Sequence, residues 1–432
     1  MNFFDYHNDE MMCEGVRLGE IAERVGTPAY IYSKRALLDA FHEFDSAFAG
    51  IDHLVCYSMK ANSNLNVCKI FYTAGSGVDC NSGGEFFRAL KAGVDPHRII
   101  FTGVGKTEEE MRMVLQHDVM MIKVESFEEL NVLNDVAASM SNGLSEKKIA
   151  PVGIRINPDV DPKTHPYIST GLSENKFGIE ASQALNAYEL AASLPNLRIT
   201  GIDMHIGSQI TQVEPFVEAC NKMAELTAKL KQRGIVLEHF DIGGGLGVSY
   251  NGSNSGSNPG SDSPTPRQFA DSLRPVLKHV GCKILFEPGR FLTANAGILV
   301  TKVLYTKQNK KKNFVIVDAA MNDLLRPSLY NAFHEIKPVK KTKNETITAD
   351  IVGPVCESGD FLAKNREIQK SKRGELLAVM SAGAYGFVMS SNYNSRRRAA
   401  EVIVDGTKFF IARERETYDN LVQNEHLIDG LK

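Results

Sequence analysis

No two cysteines in this 432-residue sequence are spaced as Cys-x-x-Cys, and the seven that are present are scattered along the chain. An odd, scattered set excludes a disulfide framework as the basis of the fold and favours a reducing compartment. The histidines, cysteines and acidic residues also lack any spacing typical of a metal site, so we expect no bound metal.

Long apolar runs are missing as well. No run approaches the roughly 20 residues that a membrane helix requires. Residues 1–7 lack a basic region followed by an apolar core, so we expect no signal peptide. These absences favour a cytoplasmic protein with no membrane partner.

Neither sign of charge predominates. The 49 lysines and arginines are offset by 52 aspartates and glutamates, which gives a net charge of −3. A balanced surface of this kind does not indicate a nucleic-acid partner. The hydrophobic fraction is ordinary for a globular protein, and the length is sufficient for a large barrel with a smaller second domain.

Short β-rich runs alternate with amphipathic segments over the first two thirds of the chain. The eight runs lie near residues 54–59, 77–80, 98–102, 119–124, 151–156, 199–204, 236–242 and 283–287. Helix-like segments such as 65–74 and 213–233 fill most of the gaps. Eight strands alternating with helices predict an α/β fold with a (β/α)8 TIM-like barrel, and a doubly wound open sheet is the competing topology.

The pattern changes after residue 287. Strand-like runs such as 298–305 and 314–318 follow one another with little helix between them. We therefore predict a barrel over residues 35–287 and a mainly β domain formed by residues 1–34 and 288–432. The segment 251–266 is rich in Asn, Gly, Ser and Pro, which is typical of a surface loop within the barrel half.

In a barrel of this kind, the chemistry gathers at the C-terminal ends of the strands. The predicted strand ends carry Lys60, Asp79, Arg155, His205, the triple glycine 243–245 and Glu287. Each of these has a structural explanation when it is taken alone. Six polar or glycine-rich ends that converge on one face favour a functional site instead.

Lys60 follows an apolar run, where burial of an ammonium is costly. Desolvation favours the neutral, nucleophilic amine, although a lysine at a strand end can also reach solvent with its charged head. The triple glycine lets backbone N–H groups approach a phosphate, or it forms a tight turn. The loop 103–107 ends like an ATP-binding motif, but Ile100 stands where that motif requires glycine, which excludes an ATP site.

The segment 58–62 (Ser-Met-Lys-Ala-Asn) resembles the lysine motif of the fold-type III pyridoxal-phosphate (PLP) enzymes, which include alanine racemase and several amino-acid decarboxylases. Two stretches, 157–171 and 326–330, resemble the diaminopimelate decarboxylase branch of that family. The departures are the insertion at 251–266 and Asn81. Further matches follow in the family's order at 79–85, 205–208, 243–245, 287–290, 356–360 and 383–385.

The resemblance implies that Lys60 anchors PLP covalently and that His205 stacks on the ring. Glu287 would keep the ring nitrogen protonated, as an electron sink requires. Alanine racemase carries arginine in this role, so Glu287 favours decarboxylation over racemisation. The remaining cofactor contacts implied by the family would come from Asp79, Glu85, Arg155, Ser208, Gly243, Gly244, Gly245, Pro288, Gly289, Arg290 and Tyr385.

The same resemblance assigns the substrate contacts. Glu357 would pair with a distal ammonium, and Cys356 would donate a proton to the carbanion. In this family both residues enter the site from the partner subunit, so a homodimer with shared active sites is implied. The His, Pro, Ser and Gly content of residues 163–176 separately predicts a loop over the site. A distal carboxylate, which suits arginine forks, would be bound by Arg290, Arg326, Tyr330 and Tyr385.

These residues predict decarboxylation of meso-2,6-diaminopimelate to L-lysine and CO₂, the last step of lysine biosynthesis. The arginines with Tyr330 carry this prediction, because they require a second carboxylate on the substrate. The alternative is another basic amino-acid or carboxy-polyamine decarboxylase of the same fold. A non-catalytic PLP-binding regulator is a third hypothesis, and the presence of both Lys60 and Cys356 argues against it.

Overall fold

The computed structural model describes residues 3–141, 147–168, 170–171, 175–250 and 263–431. Within these ranges the chain divides into two compact units. The barrel unit comprises residues 37–249 and 263–293, and the β unit comprises residues 3–36, 250 and 294–431. The bounds predicted from the sequence were residues 35–287 for the barrel and residues 1–34 with 288–432 for the β domain. The predicted loop at 251–266 lies mostly outside the described residues.

The barrel unit is built on eight parallel strands. Each strand pairs with the next, and the eighth pairs with the first, so the sheet closes on itself. The predicted barrel is confirmed, and the open sheet is wrong. In chain order, the first to eighth strands are His53–Ser58, Gly77–Cys80, Ile99–Phe101, Met121–Val124, Ala150–Asn157, Leu197–Asp203, His239–Asp241 and Lys283–Phe286.

Helices follow most of the strands, and several begin at a capping residue. Ser82 and Ser126 accept hydrogen bonds from backbone N–H groups three residues on, while Thr107 forms a full capping box with Glu110. A short strand, Ile179–Glu180, pairs with the fifth strand. The helices are Lys34–Ala47, Leu65–Thr73, Gly83–Lys91, Glu108–Leu115, Phe127–Met140, Ala184–Ser193, Glu214–Gln232, Pro266–Leu277 and Arg290–Thr293, with 3-10 turns at Met59–Ala61, Pro96–Arg98, Pro166–Ile168 and Ala181–Gln183.

The β unit is organised by the long strand Gly297–Gln308. It pairs antiparallel with Ala29–Ser33 on one side and with Asn313–Val317 further along its length. The other strands of this unit are Phe4–His7, Glu10–Cys13, Val16–Arg17, Ile336–Pro338, Thr346–Val352, Phe361–Gln369, Leu376–Val379, Ala400–Asp405 and Lys408–Arg413. Its helices are Leu18–Val25, Arg326–Tyr330 and Tyr418–Val422, with 3-10 turns at Phe387–Met389 and Tyr393–Ser395.

Strand Phe361–Gln369 was not predicted, because its charged centre hides the alternation typical of a strand. The structure pairs it antiparallel with Thr346–Val352, and the register shifts along the ladder. Asn365 adopts a left-handed backbone conformation with φ of +49° and donates its N–H to Asp350 Oδ1 at 2.7 Å. Such an irregularity is typical of a β-bulge, which breaks the period of two on which a sequence prediction depends.

Among the described residues, no helix combines the length and the apolar character that a bilayer crossing demands.

Aromatic side chains fill the space between the barrel sheet and the C-terminal end of the helix Lys34–Ala47. Phe286 of the eighth strand lies with its ring centroid 4.0 Å from that of Phe48, and Phe44 meets it edge-on at 5.6 Å. All three side chains are buried. Buried rings of this size contribute several kcal/mol each through the apolar area that they remove from water.

We predict that Phe286→Ala destabilises the protein by about 3–5 kcal/mol, because the lost ring leaves a cavity that the barrel cannot close. Phe87, which is 56% exposed on a helix of the same unit, provides the matched control. Phe87→Ala should change the stability by about 0.5 kcal/mol or less. Melting temperatures of the two variants decide this, and equal shifts would contradict the packing described here.

Candidate active site

The described strand ends of the barrel bring the sequence-predicted polar residues to one rim. Lys60 follows the first strand within the turn Met59–Ala61, and its Nζ lies 3.7 Å from Asp79 Oδ2 at the end of the second strand. The Lys60 side chain is 36% exposed, whereas Asp79 is fully buried. The Lys60 amine thus lies beside a buried carboxylate, and its side chain is only partly withdrawn from water.

Asp79 is held by several donors. Ser58 Oγ donates to Oδ2 at 2.8 Å, and Thr102 Oγ1 donates to Oδ1 at 2.6 Å. Burial works against the charged carboxylate, but Lys60, Lys123 and these hydroxyls outweigh it and keep the pKa of Asp79 below its usual value. Asp79 thus provides a fixed negative charge next to the Lys60 amine.

Glu85 and Asn81 support this corner of the site. The Asn81 side chain donates to Asp79 Oδ2 at 3.2 Å, and its backbone N–H donates to Glu85 Oε2 at 2.7 Å. Burial raises the pKa of Glu85 despite that hydrogen bond. Asn81 therefore connects two predicted cofactor residues.

The barrel interior contains an ionic cluster that sequence reasoning missed. Lys123 lies within the fourth strand and is fully buried. Its Nζ donates to Asp203 Oδ1 at 2.8 Å and to Glu287 Oε1 at 2.5 Å, and lies 2.7 Å from Asp241 Oδ2. One ammonium is thus shared by three carboxylates, which belong to or directly follow the sixth, seventh and eighth strands.

Burial acts on Asp241, Glu287 and Lys123. It raises the pKa of Asp241 to about 6 and, together with repulsion from Asp241 and Asp79, raises the pKa of Glu287 well above its usual value. Burial also opposes the charge on Lys123, but the carboxylates outweigh it and raise the pKa of Lys123. The ammonium is therefore charged, and it favours the ionised form of the carboxylates that it contacts.

Arg155 on the fifth strand connects this cluster with a neighbouring acid. Its Nη1 donates to Glu125 Oε1 at 3.1 Å, and its Nε lies 3.8 Å from Asp203 Oδ2. The guanidinium also lies over the ring of Phe177, 4.8 Å from the centroid. These contacts place Arg155 as a supporting residue behind the rim.

His205, which follows the sixth strand, is neutral. Its Nδ1 accepts a hydrogen bond from Gly244 N at 3.2 Å, so this nitrogen carries no proton. Burial, followed by the charges of Lys60, Arg155 and Lys123, lowers the pKa of His205 well below its usual 6.5. The hydrogen bond and the lowered pKa both indicate that the His205 ring at the rim is uncharged.

The triple glycine follows the seventh strand and leaves no space for side chains. A Cβ on Gly244 would lie 2.2 Å from the carbonyl oxygen of Glu287, and one on Gly245 would lie 2.4 Å from that of Gly207. Gly245 also has φ of +115°, which other residues rarely adopt. The glycines are therefore required by close packing against residues 207 and 287, and the N–H groups of Gly243 and Gly244 donate to Asp241 Oδ1 and His205 Nδ1.

Arg290 and Ser208 lie together at the same rim. Arg290 Nη2 donates to Ser208 Oγ at 2.8 Å, and its Nε donates to the same oxygen at 3.3 Å. Gly289 has no room for a side chain either, since a Cβ there would lie 3.0 Å from Ser58 O. The segment 287–290 is thereby held against the start of the lysine motif.

The β unit contains the other sequence-predicted residues. Arg326 begins the helix Arg326–Tyr330, and its Nη1 lies 2.7 Å from His334 Nε2. His334 Nδ1 lies 2.8 Å from Met380 O, a carbonyl that can only accept, so Nδ1 carries the proton and Nε2 accepts from Arg326. The guanidinium also stacks on Tyr250, 4.4 Å from the ring centroid. His334 and Tyr250 thus orient a buried arginine.

Cys356 and Glu357 lie on an exposed segment of the β unit. The Cys356 N–H donates to Asn394 Oδ1 at 2.9 Å. A hydrogen bond with Glu357 raises the pKa of Tyr393, so this tyrosine pairs with the acid. Tyr385 adopts a left-handed conformation, with φ of +53°, and is half-buried.

Sequence reasoning missed the residues that support the site, chiefly Lys123, Asp203, Asp241, His334 and Tyr250. A signal for the first was available: Lys123 is the single charged residue in the run 121–124 of a predicted buried strand. Charges inside such strands require partners, which directs attention to Asp203 and Asp241. Nothing in the local sequence indicates that His334 and Tyr250 meet Arg326.

Comparisons with known proteins agree with this geometry. Residues 34–294 match the family model described as pyridoxal-dependent decarboxylase, pyridoxal binding domain. The chain is 47% identical to a diaminopimelate decarboxylase of Aquifex aeolicus over 98% of this chain and 97% of the relative, and 49% identical to that of Neisseria meningitidis over 96% and 97%. A crystal structure of diaminopimelate decarboxylase from Helicobacter pylori complexed with L-lysine is 41% identical, with a TM-score of 0.88 over 94% of this chain and 98% of that one.

We predict that His205→Gln reduces the loss of stability on acidification between about pH 7 and about pH 5.5. Below pH 6.5 the unfolded His205 gains a proton that the folded residue, with its lowered pKa, does not bind, so this group makes the wild type less stable as the pH falls. The variant lacks that contribution. Melting temperatures across this range, with the exposed His97→Gln as control, measure the difference, and parallel curves for all three proteins would contradict the prediction.

Proposed function

The chain belongs to the pyridoxal-dependent decarboxylase family, in the diaminopimelate decarboxylase branch, and from this premise we propose that it converts meso-2,6-diaminopimelate into L-lysine and CO₂. The observation that carries the proposal is the barrel rim, where Lys60, Glu287 and the triple glycine accompany full-length similarity to enzymes of that name. The L-lysine in the related crystal structure supports the same product.

The rim residues fit PLP as the cofactor. This group requires an amine to anchor it, a cradle for its phosphate and a partner for its ring nitrogen. Lys60 would offer the amine beside Asp79, the close-packed turn at 243–245 would offer its backbone as the cradle, and Glu287 would offer the carboxylate. When bound, PLP supplies an electron sink for the electron pair that remains after CO₂ leaves.

Several barrel residues would orient the cofactor. Glu287 would keep a proton on the ring nitrogen, since a neighbouring carboxylate favours a cationic partner. His205, held neutral by the Gly244 N–H, would lie against the ring face without repelling that charge. Asp79, with Glu85 and Arg155 behind it, would keep the anchor amine in place. Phosphate contacts would come from Ser208, Gly243, Gly244, Gly245, the backbone near Gly289 and Arg290, and the Tyr385 hydroxyl.

Arg326 would give the substrate specificity. Diaminopimelate has a second carboxylate that lysine, ornithine and arginine lack, and a guanidinium fork suits a carboxylate. His334 and Tyr250 hold the Arg326 guanidinium, so little side-chain freedom remains to be lost on binding. Arg290, Tyr330 and Tyr385 would complete this contact.

We also propose a homodimer in which Cys356 and Glu357 complete the partner's site. Both side chains are exposed in the single chain, and Tyr393 and Asn394 hold their segment. Cys356 would donate the proton that replaces CO₂, and Glu357 would bind the distal ammonium. The loop 163–176 over the site remains a proposal, and residues 169 and 172–174 lie outside the described residues. A cytoplasmic location without nucleic-acid or membrane partners rests on composition.

We predict that the protein with PLP releases CO₂ from meso-diaminopimelate and far less from ornithine, lysine or arginine. Arg326→Gln should raise KM for diaminopimelate by about tenfold or more, through loss of a charge-assisted contact. Arg413→Gln is the control, since Arg413 is a half-buried arginine of the β unit that pairs with Glu401 and lies over the ring of Phe387. Preference for ornithine, lysine or arginine would instead support the alternative decarboxylase of the same fold and contradict the assignment.

We further predict that two inactive variants, Lys60→Ala and Cys356→Ala, regain activity when their subunits are mixed. In a shared site, each mixed dimer rebuilds one intact site, so random exchange should restore about a quarter of the wild-type activity. Each variant refolded alone is the control. Mixed dimers without activity would contradict a site shared between subunits.

A further inference from the structure

Lys123 is a fully buried barrel residue to which the family resemblance assigns no contact with the cofactor. It occupies the middle of the buried run 121–124 and is fully withdrawn from water. Its Nζ contacts Asp203, Asp241 and Glu287 at 2.8, 2.7 and 2.5 Å. Of these three acids, only Glu287 is assigned a part in the chemistry.

Burying this ionic cluster inside the barrel costs free energy. Four ionisable groups lose their hydration, and one ammonium cannot neutralise three carboxylates. Apolar residues of similar volume would often be as stabilising or more so. Arg155 offsets part of the charge, but from 3.8 Å and through Asp203 alone. Stabilisation of the barrel alone therefore does not explain why four ionisable residues occupy its interior.

A metal site does not explain the cluster either. The three carboxylates offer oxygens within 4.8 Å of one another, a spacing that suits a cation. The Lys123 ammonium already lies within 2.8 Å of an oxygen from each of them. The cation of this site is therefore part of the chain itself.

We propose that Lys123 is a positioning residue that holds Oε1 of Glu287 in place for the ring nitrogen of PLP and favours the charged form of this carboxylate. This inference deepens the proposed function and rests on it for the identity of the cofactor. Lys123 acts through Glu287 and touches neither cofactor nor substrate.

The surrounding charges explain why Glu287 needs this help. Burial and the negative charges of Asp79, Asp203 and Asp241 all favour a protonated Glu287, and Lys123 opposes them. Arg155 is paired with Glu125, and His205 is neutral, so neither replaces the ammonium. Without Lys123, the proton shared between ring nitrogen and carboxylate would move to Glu287, and the ring would lose the charge that makes it an electron sink.

The location of that proton can be measured directly. The holoenzyme is reconstituted with PLP labelled with ¹⁵N in the ring, and the ¹⁵N chemical shift distinguishes a protonated from an unprotonated ring nitrogen. Glu287→Gln gives the reference for a ring without its acidic partner. Since the measurement needs no substrate, it does not depend on whether diaminopimelate is the right one.

Three variants distinguish the effect of losing the contact between Lys123 and Glu287 from the effect of changing the net charge of the cluster. Lys123→Met removes the ammonium and leaves the carboxylates without it, which can prevent folding. Lys123→Met with Asp203→Asn removes one charge of each sign and keeps the net charge, while Asp203→Asn alone keeps the contact between Lys123 and Glu287. The last two proteins differ only at residue 123.

We expect Asp203→Asn to keep the wild-type ¹⁵N shift, and the double variant to move toward the Glu287→Gln reference. Its kcat should fall by about tenfold or more with KM little changed, because the lost interaction stabilises developing charge. Lys106→Met removes another buried lysine, paired with Glu129 at 2.7 Å, and should alter stability alone.

Wild-type ¹⁵N shift and kcat in the double variant would overturn the inference, whatever its melting temperature. If the wild type binds PLP but does not decarboxylate diaminopimelate, and the proteins show the expected ¹⁵N shifts, the proposed substrate is overturned and the role of Lys123 stands. A wild type that binds no PLP would overturn both.

Discussion

The contact between Lys123 and Glu287 is the interaction on which the rest of the site depends. Closure of the eight-stranded sheet brings the fourth strand opposite the sixth, seventh and eighth, so that one ammonium meets three carboxylates inside the barrel. The carboxylate that leads from this cluster to the rim belongs to Glu287. A carboxylate that would be costly to bury alone is thereby held by an ammonium at the rim of the barrel.

Each charged or polar group at the rim is held by a second residue behind it. Ser58 and Thr102 hold Asp79, Gly244 holds His205, and Ser208 holds Arg290. The β unit follows the same principle, since His334 and Tyr250 orient Arg326. Groups that are fixed before binding lose little freedom when a ligand arrives, and they present their charges without reorganisation.

The sequence predicted the barrel and its rim well because both depend on local pattern. Eight alternating runs indicate eight strands, and the residue after each strand is then a candidate for chemistry. Partners that are distant in the chain carry no such signal, as Lys123 and Asp203, 80 residues apart, illustrate. Lys60 follows its strand within a 3-10 turn and lies beside Asp79, which its strand-end position alone did not indicate. The bulged strand Phe361–Gln369 was not predicted, because its irregular pairing removes the alternation of buried and exposed residues.

The most direct measurement of the account's central claim is a crystal structure of the protein grown with PLP. We expect continuous electron density from Lys60 Nζ to the cofactor and the phosphate against the backbone of 243–245. We also expect a Glu287 oxygen within hydrogen-bond distance of the ring nitrogen. A cofactor bound elsewhere, or a ring nitrogen that faces a residue other than Glu287, would contradict the account.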